Sequence, residues 1–161
     1  MSTETLLIDA ALLIWKQNVD RADKFFSGLS EQQLSQEIAP GKNRLIYLWG
    51  HLTAVGDAML PLLGLGPRLH PELDEIFVKN PDRALKEKVS GEALKRYWDE
   101  INEALWTKFS KLSPAEWVQK HASVSDEDFA REPHRNRFTV LLGRTGHLAY
   151  HVGQAKLAAT N

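Results

Sequence analysis

The sequence predicts an all-α protein built as a four-helix bundle with long connections. Apolar residues recur at steps of three and four along four segments, which is the period of an amphipathic helix. Capping signals stand at several helix starts, and no segment shows a hairpin signal. Amphipathic helices without strands pack as a bundle. A chain of 161 residues, 43% hydrophobic and 25% charged, fits one domain over residues 1–161.

The first long helix is predicted over residues 3–28, and a short helix follows it. The apolar stripe of the long helix is Ile8, Ala11, Trp15, Val19, Ala22, Phe26 and Leu29. Ser30 and Gln33 then have the spacing of a capping box, which predicts a short helix that ends before Pro40.

The second long helix is predicted over residues 44–63, with Asn43 as its N-cap. Pro61 lies near its end and is expected to kink it, because proline lacks the backbone N–H. A Gly-Leu-Gly-Pro segment at 64–67 then stops the helix. The inward stripe is predicted to be Leu48, His51, Val55, Ala58 and Leu62.

The remaining chain is predicted to contain two long connections and two long helices. Residues 67–89 are charged and are punctuated by Pro71 and Pro81, which indicates a connection with one short helical turn. Ser90 caps a helix over 91–111, and a capping box at Ser113 follows it. Residues 120–135 form a polar connection before a last helix from about residue 136. The stripe of the third long helix is Leu94, Trp98, Ile101, Leu105, Phe109 and Leu112.

Composition and missing motifs exclude several classes of protein. With 20 basic and 21 acidic residues, the chain lacks the basic excess of a nucleic-acid binder. The absence of cysteine excludes disulfides, thiolate zinc sites and a cysteine nucleophile. No apolar run reaches the roughly 20 residues of a membrane span, and no basic leader precedes the first helix, so a cytoplasmic location is expected. The motifs of P-loops, dinucleotide loops, serine hydrolases, zincins and di-iron bundles are missing.

Three histidines are predicted to point into the bundle. His147 and His151 are four residues apart on the last helix, and imidazoles at that spacing can share one metal ion. His51 lies on the apolar stripe of the second helix. The alternative is that all three are hydrogen-bonded core residues. The other histidines, His70, His121 and His134, fall in connections and are expected to be solvated.

A metal would satisfy three buried imidazoles at once, whereas each unsatisfied buried polar group costs about 1–3 kcal/mol. Imidazole ligands suit Zn, Ni, Cu or Fe, and three protein ligands leave a position open for water or substrate. Arg144 and Gln154 share the face of the histidine pair, so they are candidates for substrate binding. Tyr47, one turn before His51, and Trp15 on the first helix are further candidates.

This arrangement resembles the DinB/YfiT-like superfamily of bacterial four-helix bundles. The resemblance rests on a histidine in the second helix, within Leu-Trp-Gly-His51-Leu, and on His147-Leu-Ala-Tyr-His151-Val-Gly-Gln154 in the last helix. It implies a metal triad of His51, His147 and His151 that holds a divalent ion, most often zinc or nickel. It also implies a homodimer. Residues 67–89 are longer than is typical of the family, and they could cover the bundle mouth or the dimer surface.

The resemblance leaves two functions open. Several characterised relatives are transferases or isomerases that use a low-molecular-weight thiol, so this chain is expected to be a metal-dependent enzyme in which the ion activates a thiol or water. The alternative is a non-catalytic, stress-related bundle that holds a metal or a small ligand. The absence of an inward carboxylate favours the alternative, since no general base is apparent.

Overall fold

The computed structural model describes residues 2–86 and 88–158, and this part of the chain is all-helical. It contains no strand, only two isolated antiparallel bridges, Glu37 with Arg44 and Lys120 with Asn136. The helices are α1 (Thr3–Phe26), α2 (Glu31–Leu34), α3 (Leu45–Asp57), α4 (Met59–Leu62), α5 (Leu73–Phe77), α6 (Gly91–Phe109), α7 (Pro114–Trp117), α8 (Asp126–Arg131) and α9 (Arg137–Ala158).

The four long helices share one hydrophobic core. Helix α1 packs against α9 and α6, and α3 packs against α6 and α9. The predicted stripes of α1 and α6 account for much of that core, from Ile8 to Phe26 and from Leu94 to Phe109. Both predicted capping boxes are present, at Ser30 and Ser113, and the Ser90 hydroxyl accepts from the Ala93 amide.

The second predicted helix differs from expectation at both ends. Asn43 is not its N-cap: Arg44 holds that position, and its own amide donates to Asp82. The helix does not continue to residue 63 but ends at Asp57, and the separate helix α4 contains Pro61. Pro61 has no N–H to donate to the Asp57 carbonyl, so the helical ladder breaks at this point.

The inward stripe predicted for this helix is only partly right. Leu48 is buried, but Val55, Ala58 and Leu62 are half-buried. Helix α3 is covered by α5 as well as by α6 and α9, so it buries more than one face. The core residues that the stripe omits are Leu45, Trp49, Leu52 and Ala54.

Residues 67–86 fold back onto α3 and are tied to it by polar side chains. The fully buried Asp57 carboxylate accepts from the Arg68 guanidinium and from two backbone amides of the connection. At the other end of α3, Arg44 pairs with Asp82, and the Tyr47 hydroxyl donates to the Asn80 carbonyl at 2.6 Å. The connection from Arg68 to Asp82 therefore covers one side of α3.

The Arg44–Asp82 pair leads to a prediction about how the free energy of unfolding changes with pH. Burial alone would raise the pKa of Asp82, but the hydrogen bonds and the charge of Arg44 outweigh it, so the net pKa is lowered. A carboxylate with a lowered folded-state pKa stabilises the protein above its unfolded-state pKa, and this contribution is lost as pH falls through the folded-state value. We expect Asp82→Asn to lower the free energy of unfolding at pH 7 by about 1–3 kcal/mol.

Urea unfolding of wild type and Asp82→Asn between pH 7 and pH 3 measures this effect. The difference between the two proteins should shrink as the pH falls. A difference that is constant over this range would contradict the assignment. Asp126→Asn is a suitable control, because Asp126 pairs with Lys120 while its own side chain is 94% exposed.

From residue 120 to Ala158 the chain follows the prediction except for one short helix that was not expected. The polar connection 120–135 includes the short helix α8, whose N-cap is Ser125. The Asn136 side chain accepts from the Thr139 amide at the start of α9. No helix among the described residues is long and apolar enough to cross a membrane.

Candidate metal centre

The structure brings the three predicted histidines together between α3 and α9. The Nε2 atom of His147 lies 3.3 Å from that of His51 and 3.1 Å from that of His151. All three side chains are half-buried, and one ligand atom from each lies within 4.8 Å of the others. Metal–nitrogen bonds of about 2.0–2.1 Å at tetrahedral angles place ligand nitrogens roughly 3.3–3.4 Å apart. The spacing therefore matches a shared divalent ion.

Hydrogen bonds at the far side of two rings fix their tautomers. His51 Nδ1 lies 2.9 Å from the Phe77 carbonyl, and His151 Nδ1 lies 2.8 Å from Gln154 Oε1. Each oxygen can only accept, so each Nδ1 carries the proton and each Nε2 of the neutral ring presents a lone pair. Gln154 is itself oriented, because its amide donates to the Tyr150 hydroxyl.

With these tautomers assigned, the three histidines can be compared with the requirements of a metal site. His147 Nε2 has two close neighbours, His51 Nε2 and His151 Nε2, and both present lone pairs. A protonated His147 Nε2 could donate fully to only one of them. A divalent cation accepts all three lone pairs, and the oxygen partners at Nδ1 are the usual supports of metal-bound imidazoles. The donor set therefore fits a metal better than a closed hydrogen-bond network.

Two of the three histidines lie in surroundings that favour the neutral imidazole. Burial, the neighbouring imidazoles of His151 and His51 and the charge of Arg144 lower the pKa of His147 to about 4. Burial and His51 also lower the pKa of His151, although the Gln154 hydrogen bond opposes them. Neutral imidazoles at pH 7 keep the lone pairs that a metal requires.

The 67–89 connection supplies a contact that the sequence did not reveal. The Phe77 carbonyl on α5 holds His51, and the Phe77 ring packs directly over Gly50. A Cβ at Gly50 would lie 2.3–2.5 Å from three atoms of that ring. Glycine at this position therefore lets α5 approach α3 closely enough to reach His51. A contact made by a backbone carbonyl cannot be predicted from the sequence. Gly50, beside a candidate ligand, is only a weak signal that another helix approaches there.

Arg144 is a half-buried cation beside the histidines. Among the described residues no carboxylate pairs with Arg144 and no carbonyl accepts from it. Burial lowers the pKa of Arg144. Its side chain lines a small cavity of about 30 Å³ between the four long helices, together with the predicted candidate Trp15. Trp15 is otherwise a core residue, edge-on to Phe109.

The other candidates have structural partners. Tyr47 contacts Phe77 and binds the Asn80 carbonyl, so its observed role is to hold the connection. Burial and the charge of Asp82 raise the pKa of Tyr47. Gly146 and Gly153 on α9 are exposed, and open space surrounds them within this chain.

The loop histidines divide into different environments. His134 is exposed, as predicted. The expectation that His70 is solvated is wrong, because its side chain is 15% exposed and contacts Glu72, Glu100 and the Tyr97 ring. His121 is half-buried. Within the described residues, only His51, His147 and His151 form a group that could hold a metal ion.

Gln154 provides a prediction about metal affinity. We expect Gln154→Leu to weaken metal binding about 10–100-fold, because the partner that fixes the His151 tautomer is lost. Gln154→Glu keeps an oxygen acceptor at this position and should retain the affinity. Competition with a chromophoric chelator measures the dissociation constant of each protein. Equal affinities in the leucine and glutamate variants would show that the contact does not support the site.

Comparisons with known proteins identify a structure with a similar fold but do not indicate a function. No protein-family model matches the chain, and no curated protein matches it. A similar solved structure is the crystal structure of a conserved protein from Enterococcus faecalis, with a TM-score of 0.65 and 16% sequence identity. The match covers 99% of this chain and 96% of that chain. At this identity, the likeness extends to the all-helical fold alone.

Proposed function

We propose that this chain is a metal-dependent enzyme of the DinB/YfiT-like type, a four-helix bundle that acts on a low-molecular-weight thiol or on water. The observation that carries the proposal is the convergence of three imidazole Nε2 atoms from two helices, with that of His147 3.1 and 3.3 Å from the other two. Zinc and nickel are the proposed ions, since imidazole is a borderline ligand that suits both.

The chemistry follows from the number and charge of the ligands. Three neutral imidazoles leave the charge of a divalent ion uncompensated and a position open, so a bound ion would deprotonate a thiol or lower the pKa of a water molecule. In the transfer reaction, the thiol sulfur forms a bond to an electrophilic carbon. The leaving group departs with the bonding electrons, and the thiol proton passes to solvent.

The chain's own residues support this reaction in two ways. The Phe77 carbonyl and Gln154 hold two imidazoles in the ligating tautomer. Arg144 offers an uncommitted guanidinium one turn before His147, which suits an anionic group such as a carboxylate on the thiol or the electrophile. Trp15 lines the cavity beside that guanidinium.

The test is a thiol-transfer assay on protein loaded with zinc or nickel. Glutathione, cysteine and bacillithiol are combined with an epoxide or an activated halide, and thiol consumption is followed with a disulfide reagent. We expect saturable consumption that is lost in His51→Ala. Arg144→Gln should raise the KM for thiols that carry carboxylates and leave the metal content unchanged. If no thiol is bound or consumed by the loaded protein, the transferase form of the proposal fails.

The second candidate is a non-catalytic metal- or ligand-binding bundle. It is favoured by the composition of the cluster, because no aspartate or glutamate among the described residues joins the three histidines. Such a protein would bind the metal and a thiol but would not consume the thiol. Isothermal titration with each thiol, run beside the assay, separates the two functions.

A further inference from the structure

A cleft with tryptophan walls opens at the surface between α1 and α6. Its volume is about 220 Å³, and we call it the α1–α6 cleft. Trp15 and Trp98 line its buried side, since each is 4% exposed, and Trp106 lines it at 38% exposed. The rings of Trp15 and Trp106 are nearly parallel, at 6°, with centroids 6.3 Å apart. The cleft therefore offers aromatic surface to a molecule that enters it.

The charged side chains around the α1–α6 cleft are mainly acidic. Four carboxylates line it, two from each helix: Asp20, Asp23, Asp99 and Glu103. Lys16 pairs with the first of them, and Lys95 bridges the next two. Glu103 has no ion-pair partner within the described part of the chain. Two lysines against four carboxylates leave an excess of negative charge, so the cleft is complementary to a cation.

The chain already places one cation on this aromatic surface. Lys16 Nζ lies 6.0 Å from the centroid of the Trp106 ring, which is the range of cation–π attraction. Asp20 holds the lysine there, but the two side chains are 45% and 61% exposed, and an exposed pair of this kind adds little stability. A ligand cation can therefore take the place of the lysine on the ring at little cost.

The geometry favours an organic cation over a metal ion. Magnesium and calcium need several oxygen ligands around one ion. Among residues 2–86 and 88–158, the histidine cluster is the only group close enough to share an ion, so the carboxylates of the cleft do not form such a site. The cleft is also smaller than the roughly 300–1,000 Å³ of pockets for drug-sized ligands, so it suits a small ion.

We propose that the α1–α6 cleft binds a small quaternary ammonium ion. Trp106 supplies the ring face for the cation, and Glu103 supplies a carboxylate that no lysine neutralises. Aromatic side chains recognise quaternary ammonium groups because the ring face attracts a weakly hydrated positive charge. The proposal is independent of the proposed catalytic function, because none of the three clustered histidines lines the cleft.

Isothermal titration calorimetry of the full chain with choline tests the proposal, with 3,3-dimethyl-1-butanol as the neutral isostere. We expect saturable binding of choline with a dissociation constant on the order of 1 mM. Binding of the neutral alcohol should be weaker by about tenfold or more. Trp106→Leu should weaken choline binding about fivefold or more, whereas Trp106→Phe keeps a ring face and should retain part of the affinity.

A carboxylate variant tests the electrostatic part of the proposal. Glu103→Gln removes the unpaired carboxylate, so it should weaken choline binding about threefold and make the binding less sensitive to salt. Glu92→Gln is the matched control, because it makes the same change on α6 at a side chain that pairs with Arg96 outside the cleft. The affinity of this control for choline should equal that of wild type.

Two further readouts keep the result separate from folding and from the metal site. Circular dichroism and metal content should be the same in every variant, because the substituted residues lie outside the buried core and the histidine cluster. The proposal is overturned if choline shows no saturable binding up to about 20 mM. Equal binding of choline and the alcohol overturns it too, because the cleft would then be only apolar. Equal choline affinity in wild type, Trp106→Leu and Glu103→Gln would place the binding elsewhere.

Discussion

His147→Ala is expected to reduce the metal content of the purified, tag-free protein from about one divalent ion per chain to below about a tenth of that value. His147 Nε2 is the imidazole nitrogen that lies within 3.3 Å of both others, so its removal leaves two imidazoles for the proposed site. Two ligands do not complete the three-ligand arrangement typical of catalytic zinc sites. Mass-spectrometric metal analysis of protein reconstituted with zinc and with nickel measures the change.

Stability measurements distinguish the metal site from a set of hydrogen-bonded core histidines. A ligand present at 100 times its dissociation constant stabilises the folded state by about 2.7 kcal/mol, so a chelator should lower the melting temperature of wild type but not of His147→Ala. His134→Ala changes an exposed histidine outside the cluster and should behave as wild type. A wild type that takes up no zinc, nickel, manganese or iron would leave a helical structural or binding protein.

Gly50→Ala is expected to impair both the fold and the site. The added methyl group would meet three atoms of the buried Phe77 ring at 2.3–2.5 Å, so α5 must move away from α3. Overpacking of this kind costs about 1–3 kcal/mol. The Phe77 carbonyl moves with α5, so His51 loses its tautomer-fixing partner and metal affinity should fall about 10–100-fold.

The same helix provides a matched control. At Gly56, an added Cβ would lie 3.7 Å from Ile101, an ordinary contact, so Gly56→Ala should stabilise the protein by about 0.5–1 kcal/mol and leave metal affinity unchanged. The double variant Gly50→Ala/Phe77→Leu relieves the clash and should recover part of both losses. Chelator competition and urea unfolding measure the two quantities. Unchanged metal affinity in a destabilised Gly50→Ala would show that the α5 contact serves folding alone.

Local signals were enough to predict most of the helices and the pairing of two histidines. The capping boxes at Ser30 and Ser113 depend on residues three positions apart, and the stripes of α1 and α6 depend on a period that the chain itself carries. His147 and His151 were paired correctly for the same reason, because residues four apart on a helix are always neighbours.

Features that depend on contacts between residues distant in sequence could be established only from the tertiary structure. Asn43 has the side chain of an N-cap, yet Arg44 holds that position, and its amide binds Asp82, thirty-eight residues further along the chain. The place of His51 in the cluster required α3 and α9 to pack, and its tautomer required the carbonyl of Phe77, twenty-six residues away. Every residue has a backbone carbonyl, so the sequence cannot show which one binds His51. The path of the connection over α3 determines that it is the carbonyl of Phe77.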